Sequence, residues 1–376
     1  MPIYKAKGKK DGLQRYNVRI NYISDSGEAK QLTRIAYGLY TAKNLEMRLI
    51  KEIKINKEKP IKKMTVQELF EEYRDVKKYE IKELSLFKIE NEFKDYIGPV
   101  FNNCRIDRVT AIMLQNWKMY INGKNLSLGT KKGAFLNFRA MFKYAMKMEY
   151  IRRNPFEKVD NFVDRSSVKR EMDYYTAEEY IIFIKKAKEI AEEREQKKRD
   201  YSEWNYYVFF NIAFYTGLRK GEIFALKWSD IDGEYLSVRR TITQHLKGGD
   251  RETLPKNRTS IRTMQMPLPL IKILNEHKQR QNMLYNFSDE YRICNNVRNS
   301  TVYIRNIEYA TKAGLKTIRI HDFRHSHVSL LASENINIQE VARRLGHARV
   351  EMTWNTYCHL YPKEEEKAVS VLNRII

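Results

Sequence analysis

The spacing of apolar and polar residues along the chain first alternates and then becomes helical. RYNVRINYI and KQLTRIAYGLY alternate as half-buried strands do, and the glycine-containing SDSGEA between them is typical of a turn. We expect a hairpin, with IYKAK as a third strand. From Thr41 onward the apolar residues recur at helical spacing, so Thr41 is predicted to cap a helix behind the sheet.

A lysine-rich linker, EKPIKKM, precedes a part of the chain in which the apolar spacing is wholly helical. Thr65 and Glu68 have the spacing of a capping box at the start of the first helix. Pro155, which has no backbone N–H to donate, is expected to stop the last helix in the turn RRNPFEKV. Four helical stretches predict a compact bundle: VQELFEEYRDVKK, SLFKIENEFKDYI, TAIMLQNWKMYINGK and LGTKKGAFLNFRAMFKYAMKMEYI.

The polar segment between Asp160 and Tyr174 has few apolar anchors and marks a second boundary. After it, Thr176 and Glu179 again have the spacing of a capping box. WNYYVFFNIAFYTG is apolar on all sides, which is typical of a buried helix. The stretches from YLSVRRTITQHLKGG to SIRTMQMPL predict strands joined by turns. Helices are predicted from LPLIKILNEHKQRQNML to the end of the chain.

These boundaries predict a multidomain, mainly α-helical fold with small β-sheets. The expected parts are a three-stranded sheet with one helix at 1–63, a helical bundle at 64–160 and a mixed α+β domain at 174–376. A chain of 376 residues supports this division, since it exceeds the usual size of one compact domain.

The charge of the chain narrows its choice of partner. Lys and Arg number 70 against 47 Asp and Glu, a net charge of +23. Such an excess is typical of a nucleic-acid surface, although a basic chain can also be merely soluble. The first 63 residues hold sixteen Lys and Arg against six Asp and Glu. We interpret the sheet in this segment as a DNA-binding element whose face enters a groove of the duplex. The alternative is a basic appendage that is merely solvated.

Basic residues of the bundle are candidates for a DNA phosphate track, with a solvated helix face as the alternative for each. They are Lys124, Lys131, Lys132 and Arg139.

Cysteine usage and hydropathy indicate the compartment. Cys104, Cys294 and Cys358 are far apart and form no CxxC pair, which favours a reducing compartment and argues against a structural zinc site. The sequence has no apolar run of about 18 residues, and MPIYKAKGKKDG has no apolar core behind it. We therefore expect a cytoplasmic protein with no membrane partner.

The stretch RIHDFRHSH poses a choice between a metal site and an anion site. His321 and His325 have a spacing that zinc enzymes use, but no HExxH glutamate is present and Asp322 is expected to point away from the pair. Arg324 lies between histidines, and guanidinium binds phosphate through a planar fork. His321, three residues before Arg324, would share its helix face. The pattern favours an anion.

Complementary groups lie elsewhere in the chain. In FYTGLRKGE, Gly217 breaks an apolar helix and Arg219 follows at the mouth of a new one. Glu222 can accept a hydrogen bond from that guanidinium and hold it in place, although an ordinary surface pair would look the same.

Three further residues complete the set of candidates. Lys256 lies at a turn between extended segments, where an ammonium can act as an acid or simply be solvated. His347 follows Gly346 at the end of a predicted helix. Tyr357, ten residues after His347 in another short helix, is the nucleophile candidate.

The motifs TGLRKGE, LPKNRTSIRT, HDFRHSH, LGH and TYCH occur together in one order, and in this the chain resembles the tyrosine recombinase (phage integrase) family. The resemblance rests on these motifs after Tyr174 and on layout before it. It implies an arm-type DNA-binding domain at 1–63, a helical core-binding (SAM-like) domain at 64–160 and a catalytic domain at 174–376. This layout is similar to that of integrases from temperate phages and conjugative transposons.

The resemblance also implies roles for the candidate residues. Arg219 and Arg324 would clamp the two non-bridging oxygens of a DNA phosphate, with Glu222 as support. His321 and His347 would add hydrogen bonds, and one of them would assist removal of the nucleophile's proton.

The nucleophile itself would be Tyr357, which would attack phosphorus and form a 3′-phosphotyrosyl link. Lys256 would protonate the leaving 5′ oxygen. Because this link stores the bond energy, the chemistry needs no cofactor, and the several fixed cations serve in place of a metal. His325, His327 and His359 are assigned structural roles.

The chain is therefore interpreted as a site-specific recombinase that integrates and excises a phage or mobile element. Its expected partners are double-stranded DNA at core and arm attachment sites, further copies in a homotetramer, and an excisionase or host DNA-bending protein, in the bacterial cytoplasm at the nucleoid. The apolar end of HLYPKEEEKAVSVLNRII would pack on its own domain or dock on a neighbouring subunit. The alternatives are a catalytically silent DNA-binding regulator, a type IB topoisomerase-like enzyme and a metal-dependent nuclease.

Overall fold

The structure, a computed structural model, describes residues 3–23, 29–58, 63–163, 172–198, 201–244, 249–255, 258–283, 287–361 and 365–374. They fall into two compact units, and the division between them lies within 164–171. No helix in the described ranges is long and apolar enough to cross a membrane.

The first unit begins with an antiparallel sheet of three strands in the order β1 (Ile3–Lys10), β2 (Leu13–Ile23) and β3 (Ala29–Tyr37), which confirms the predicted hairpin and third strand. Val18 is fully buried on one face of the sheet, where Ala36, Ala42 and Leu49 join it. Ala42 and Leu49 belong to α1 (Leu39–Glu58), so this helix covers that face. The alternation of β2 leaves Arg19, the neighbour of Val18, on the open face.

The prediction that Thr41 caps this helix is wrong, because the helix begins two residues earlier. Gly38 has a φ of 87°, and its carbonyl oxygen accepts the hydrogen bond of the Ala42 amide at 3.1 Å. Its own amide donates to the Gln14 carbonyl at 2.8 Å. A glycine adopts this left-handed conformation without steric cost. Gly38 therefore turns the chain from the sheet into the helix, and Thr41 lies in the first turn.

The helical bundle follows, with its own aromatic core. The capping box at Thr65 and Glu68 is confirmed by both of its hydrogen bonds. Trp117, Phe138 and Phe156 lie at the centre of the core, where the aromatic rings meet mainly edge to face. The helices are α2 (Val66–Glu80), α3 (Glu83–Glu92), which continues through a π turn (Phe93–Ile97) into α4 (Gly98–Phe101), α5 (Ala111–Asn122) and α6 (Leu128–Lys147).

The expectation that Pro155 stops the last helix is also wrong. Helix α6 ends at Lys147, before the proline. Glu149 has a φ of 59°, and the Tyr150 amide donates back to the Ala145 carbonyl at 2.9 Å. This backward hydrogen bond closes the helix. Pro155 instead opens a short 3-10 turn.

The second unit is a mixed α+β domain. Its short strands form a three-stranded sheet in the order β4 (Ile231–Asp232), β5 (Tyr235–Val238), β8 (Arg262–Gln265), and a pair of β6 (Thr241–Thr243) with β7 (Arg251–Thr253). Its helices are α7 (Ala177–Lys198), α8 (Ser202–Thr216), α9 (Lys220–Ala225), α10 (Leu268–Asn282), α11 (Asn299–Lys312), α12 (Asp322–Ser333), α13 (Ile338–Leu345), α14 (Val350–Tyr357) and α15 (Glu365–Leu372).

Helix α12 is anchored in the aromatic core of this unit. The ring of Phe323 is fully buried and packs against Tyr175, Phe183 and Phe210. The Ser326 hydroxyl accepts a hydrogen bond from the Tyr175 amide at 2.9 Å. Because Phe323 and Ser326 flank Arg324 on the same helix, this packing fixes the backbone position of Arg324.

Two glycines end helices next to that arginine. Gly217 ends α8 with a φ of 63°, and Gly346 ends α13 with a φ of 65°. A Cβ atom on Gly217 would lie 2.7 Å from Cδ2 of His327, and one on Gly346 would lie 2.8 Å from a guanidinium nitrogen of Arg262. Both positions therefore require glycine for backbone conformation and for space.

We expect Gly217→Ala to destabilise the second unit more than Gly233→Ala does. Gly233 has a similar φ of 57°, but a Cβ there would meet nothing within 4 Å. It therefore reports the left-handed backbone cost alone, about 1–2 kcal/mol. Gly217→Ala should add roughly 1–3 kcal/mol of overpacking against His327. Urea denaturation of both variants measures the difference in the free energy of unfolding. Equal losses in the two variants would show that the His327 side chain shifts without an energetic cost.

Candidate active site

Arg324 is the buried centre of the site. Only 2% of the residue is exposed. One guanidinium nitrogen donates to the Gly217 carbonyl at 2.8 Å, and another donates to the Leu345 carbonyl at 2.8 Å. Both carbonyls lie at helix C-termini, where backbone oxygens lack partners within the helix and carry partial negative charge. Burial, together with the charge of Arg219, nevertheless lowers the pKa of Arg324 to about 9.

Arg219 is more exposed than Arg324, and it is near enough for its charge to act on the Arg324 guanidinium. It precedes α9, as the sequence predicts, and its guanidinium donates to the Glu222 carboxylate at 3.1 Å. Its backbone amide donates to the same carboxylate at 3.0 Å. The predicted support of Arg219 by Glu222 is therefore present, and Glu222 is buried to 3% exposure.

A third arginine, Arg262, shares this carboxylate. Its guanidinium donates to Glu222 at 3.0 Å, to the Ser260 carbonyl at 2.9 Å and to the Arg344 carbonyl at 2.6 Å. Burial raises the pKa of Glu222, but the charges of Arg262 and Arg219 outweigh burial and hold the pKa below its usual 4.5. Glu222 thus stays ionised between two guanidinium groups.

Arg262 was not among the residues that the sequence singled out, although a signal for it exists. In β8 the buried positions alternate with exposed ones, and Arg262 and Met264 lie on the buried side. An arginine in the inward register of a short strand needs an acceptor in the interior. The alternation of SIRTMQ therefore indicates a structural guanidinium at this position.

His347 contacts Arg324 directly. It follows Gly346 at the end of α13, as expected, and its Nε2 accepts a hydrogen bond from Arg324 at 2.8 Å. Its Nδ1 donates to the Thr353 hydroxyl at 2.8 Å, which selects this tautomer. Burial, together with the charge of Arg324, lowers the pKa of His347 to about 4, so the ring is neutral near pH 7.

His321 occupies a different environment from Arg324, although the two were expected to share a helix face. It immediately precedes α12 and is exposed, whereas Arg324 is buried. Its ring meets that of His325 edge to face, with 5.3 Å between centroids. Partial burial and the charge of Arg324 lower its pKa. The expectation that Asp322 points away from these histidines is wrong, because its Oδ1 lies 3.8 Å from Nε2 of His325.

Tyr357 is the last residue of α14 and projects into the same site. The residue is 2% exposed, and its hydroxyl forms a 2.7 Å hydrogen bond with Nδ1 of His325. Burial raises the pKa of Tyr357 to about 12, while the charges of Arg324 and Arg219 act in the opposite direction. The phenol is therefore protonated at rest and lies within electrostatic reach of both arginines.

The structure thus brings Arg219, Glu222, Arg324, His347 and Tyr357 together, with His321 at the margin. Lys256 lies outside the described residues, between β7 and β8.

Chemically, this site is an arrangement of fixed guanidinium donors beside a phenol. Arg219 and Arg324 present positive charge to one space, and a single buried carboxylate, Glu222, balances part of it. Such a site can bind a tetrahedral anion and stabilise added negative charge on it. Among the described residues, no three His, Cys, Asp or Glu side chains are placed to hold a metal ion.

Two family models match the chain. The model described as the phage integrase family matches residues 184–364, and the phage integrase SAM-like domain matches residues 49–163. The second match covers the helical bundle, and the first contains Arg219, Arg324, His347 and Tyr357.

Individual relatives match over most of their length. The ICEBs1 integrase of Bacillus subtilis is 28% identical over 292 residues, which cover 75% of this chain and 75% of the relative. The tyrosine recombinase XerC-like protein of Caldanaerobacter subterraneus is 28% identical over 321 residues, 78% of each chain.

Solved structures share the fold. The Tn1549 transposon integrase in complex with a circular intermediate DNA matches with a TM-score of 0.64 at 19% identity, covering 83% of this chain and 100% of that chain. A lambda integrase dimer bound to a COC′ core site matches with a TM-score of 0.57 at 16% identity, covering 94% of both chains. The expected mainly α architecture with small sheets is confirmed.

We expect the second unit to lose stability as the pH falls from 6.5 toward about 4. Burial lowers the pKa of His325 and His347 from 6.5 to about 4, and that of His327 to about 3. In this window the unfolded chain binds protons that the folded chain excludes, so each histidine removes up to about 1.4 kcal/mol per pH unit. Urea denaturation across the window measures this slope.

A variant isolates one histidine. His327→Asn should flatten the pH slope, because it removes one group that must stay neutral in the folded state. Glu222 has its pKa held below 4.5, so its protonation adds only at the acid end of this range. An unfolding free energy that stays constant through the window would contradict the burial of neutral histidines.

Proposed function

The chain belongs to the phage integrase family of tyrosine recombinases, and on that premise we propose that Tyr357 is the nucleophile with which it cuts and rejoins DNA. The protein is a site-specific DNA recombinase of the kind that integrates and excises a phage or mobile element. The observation that carries the proposal is the position of the Tyr357 hydroxyl, within reach of the Arg324 and Arg219 charges of its own chain.

Phosphate binding follows from the geometry of the arginines. A phosphodiester repels nucleophiles because its oxygens are anionic, and its transition state carries still more charge. Arg324 and Arg219 bind the two non-bridging oxygens in this proposal. Glu222 and the helix-end carbonyls hold the two guanidinium groups in position before DNA arrives. His347, whose Nε2 accepts a hydrogen bond from Arg324, orients that guanidinium.

Bond exchange then needs no external energy source. The Tyr357 oxygen forms a bond to phosphorus while the bond from phosphorus to the 5′ oxygen breaks. Lys256, which lies between β7 and β8 in the sequence, gives its proton to the leaving 5′ oxygen in this proposal. The 3′-phosphotyrosyl link keeps the energy of the broken bond, so a 5′ hydroxyl of another strand can reverse the reaction and rejoin the DNA.

The substrate proposed is double-stranded DNA. The related Tn1549 and lambda integrases were solved with DNA, and the net charge of +23 in this chain suits the same kind of partner. We assign core sites to the bundle with the catalytic unit, and arm sites to the N-terminal sheet, whose open face carries Arg19. Assembly as a homotetramer, an excisionase or DNA-bending partner and a place in the cytoplasm at the nucleoid belong to the same proposal.

Tyr357→Phe should keep DNA affinity and abolish cleavage, because it removes only the nucleophilic oxygen. The measurement uses nicked DNA from the end of the protein's own element, with EDTA present, and scores a covalent adduct that survives SDS. Arg219→Ala should also lose the adduct while keeping Tyr357.

Tyr361→Phe is the matched control, since it removes a hydroxyl four residues away and should leave the adduct intact. A wild-type chain that binds this DNA but forms no adduct would favour the silent regulator. Cleavage that leaves no adduct and is lost in EDTA would favour a metal-dependent nuclease.

Removal of residues 1–63 should spare binding at core sites and weaken binding at arm sites, because the sheet and the bundle have separate hydrophobic cores. Arg19→Ala in the full chain should weaken arm binding and reduce its salt dependence if Arg19 contacts a phosphate. Electrophoretic mobility shifts on separate core and arm duplexes measure both effects. Equal weakening at core and arm sites would contradict the assignment of arm binding to the N-terminal sheet and of core binding to the rest of the chain.

A further inference from the structure

One histidine contacts the nucleophile, and it is not one of the two to which the sequence assigns proton removal. His325 was assigned a structural role, yet its Nδ1 lies 2.7 Å from the Tyr357 hydroxyl. Its ring centroid lies 5.4 Å from that of Tyr357. The hydroxyl oxygen is the atom that attacks phosphorus in the proposed reaction, so His325 touches a reacting atom.

The two expected histidines have other contacts. Both ring nitrogens of His347 are engaged, one by Arg324 and one by Thr353. His321 stands at the exposed start of α12 and meets His325 through its ring. Neither makes a described hydrogen bond to Tyr357, whereas His325 does.

The surroundings of His325 set its tautomer. A phenol that donates to Nδ1 requires the lone pair there, so the neutral ring carries its proton on Nε2. That Nε2 faces Oδ1 of Asp322 at 3.8 Å. Asp322 is fully buried, and the guanidinium and backbone amide of Arg319 both donate to it at 2.9 Å. The carboxylate is thus fixed, and it favours a positive charge on the imidazole.

We propose that His325 accepts the proton of the Tyr357 hydroxyl as Tyr357 attacks the scissile phosphate, and returns it when the strand is rejoined. This inference rests on the proposed function. In the forward step the oxygen–phosphorus bond forms, the phenol proton moves to Nδ1 of His325, and the bond from phosphorus to the 5′ oxygen breaks. The leaving oxygen takes a proton from a separate acid. Asp322 stabilises the resulting imidazolium, as a carboxylate does beside other catalytic histidines.

DNA binding supplies the trigger for this transfer. At rest, burial and the positive charges of Arg319 and Arg324, together with His321, lower the pKa of His325 to about 4. Burial raises the pKa of Tyr357 to about 12, so the proton stays on the phenol. A phosphate between the arginines brings negative charge that offsets them and favours the imidazolium. The proton therefore moves only when substrate is present.

His325→Asn separates proton transfer from positioning. The asparagine Oδ1 can take the place of Nδ1 and accept the same hydrogen bond, but an amide is not a base at neutral pH. We expect single-turnover cleavage to slow by about 10²-fold or more, the usual contribution of a general base. Affinity for the DNA, measured in parallel, should remain.

Fluorotyrosine at position 357 tests the chemistry directly, because fluorine lowers the pKa of the phenol and reduces the need for a base. It should restore cleavage in His325→Asn by a larger factor than it changes the rate with His325 intact. His327→Asn is the matched control: it removes another buried imidazole of α12, whose Nδ1 contacts the Phe214 carbonyl at 2.8 Å and not Tyr357. It should show no such rescue.

A second measurement needs no change at position 325. With His325 intact, a series of fluorotyrosines of decreasing pKa should alter the cleavage rate only weakly, since the base shares the proton in the transition state. A steep dependence would overturn the proposal, as would a wild-type rate in His325→Asn or a loss without fluorotyrosine rescue. If the wild-type chain forms no tyrosyl adduct, it is the proposed function that fails.

Discussion

The site depends on one interaction, the burial of the Arg324 guanidinium between the ends of two helices. Removing a cation from water is costly unless its donors are satisfied. The carbonyls of Gly217 and Leu345 satisfy two of them, at 2.8 Å each. These partners carry only partial charge, so the positive charge of Arg324 remains available to an anion. A carboxylate in the same place would neutralise it.

The positions of the other site residues follow from this burial of Arg324 between two helix ends. Helix α8 must end at Gly217, and the same backbone turn leads to Arg219 two residues later. Helix α13 must end at Gly346, and that turn delivers His347 onto Arg324. Arg262 fills the space beside Gly346 and links it to Glu222, which in turn holds Arg219. One network therefore sets the distance between Arg219 and Arg324, the two arginines proposed to bind phosphate.

Much of this site was predictable because its residues belong to local patterns. The turns at Gly217 before Arg219 and at Gly346 before His347 are set by adjacent residues, and Arg219 pairs with Glu222 only three residues away. Arg262 and His325 were missed for the opposite reason. Arg262 meets a carboxylate 40 residues away, and His325 meets a hydroxyl 32 residues away. The errors at Thr41 and Pro155 have another cause, since left-handed turns at Gly38 and Glu149 outweighed the local cap and breaker signals.

The same charges act in opposite directions on the two ends of the hydrogen bond between Tyr357 and His325. Arg324 favours the ionised phenolate, yet it disfavours the imidazolium that would hold the lost proton. In the free protein these effects compete, and burial keeps both groups neutral. A phosphate bound to Arg324 offsets the positive charge that disfavours the imidazolium. The phenolate no longer has to be stabilised by that charge, because the phenol oxygen becomes bonded to phosphorus. In the proposed reaction a reactive phenolate is thus avoided in the absence of DNA, and the arginines proposed to bind the substrate are also the groups that prepare the nucleophile.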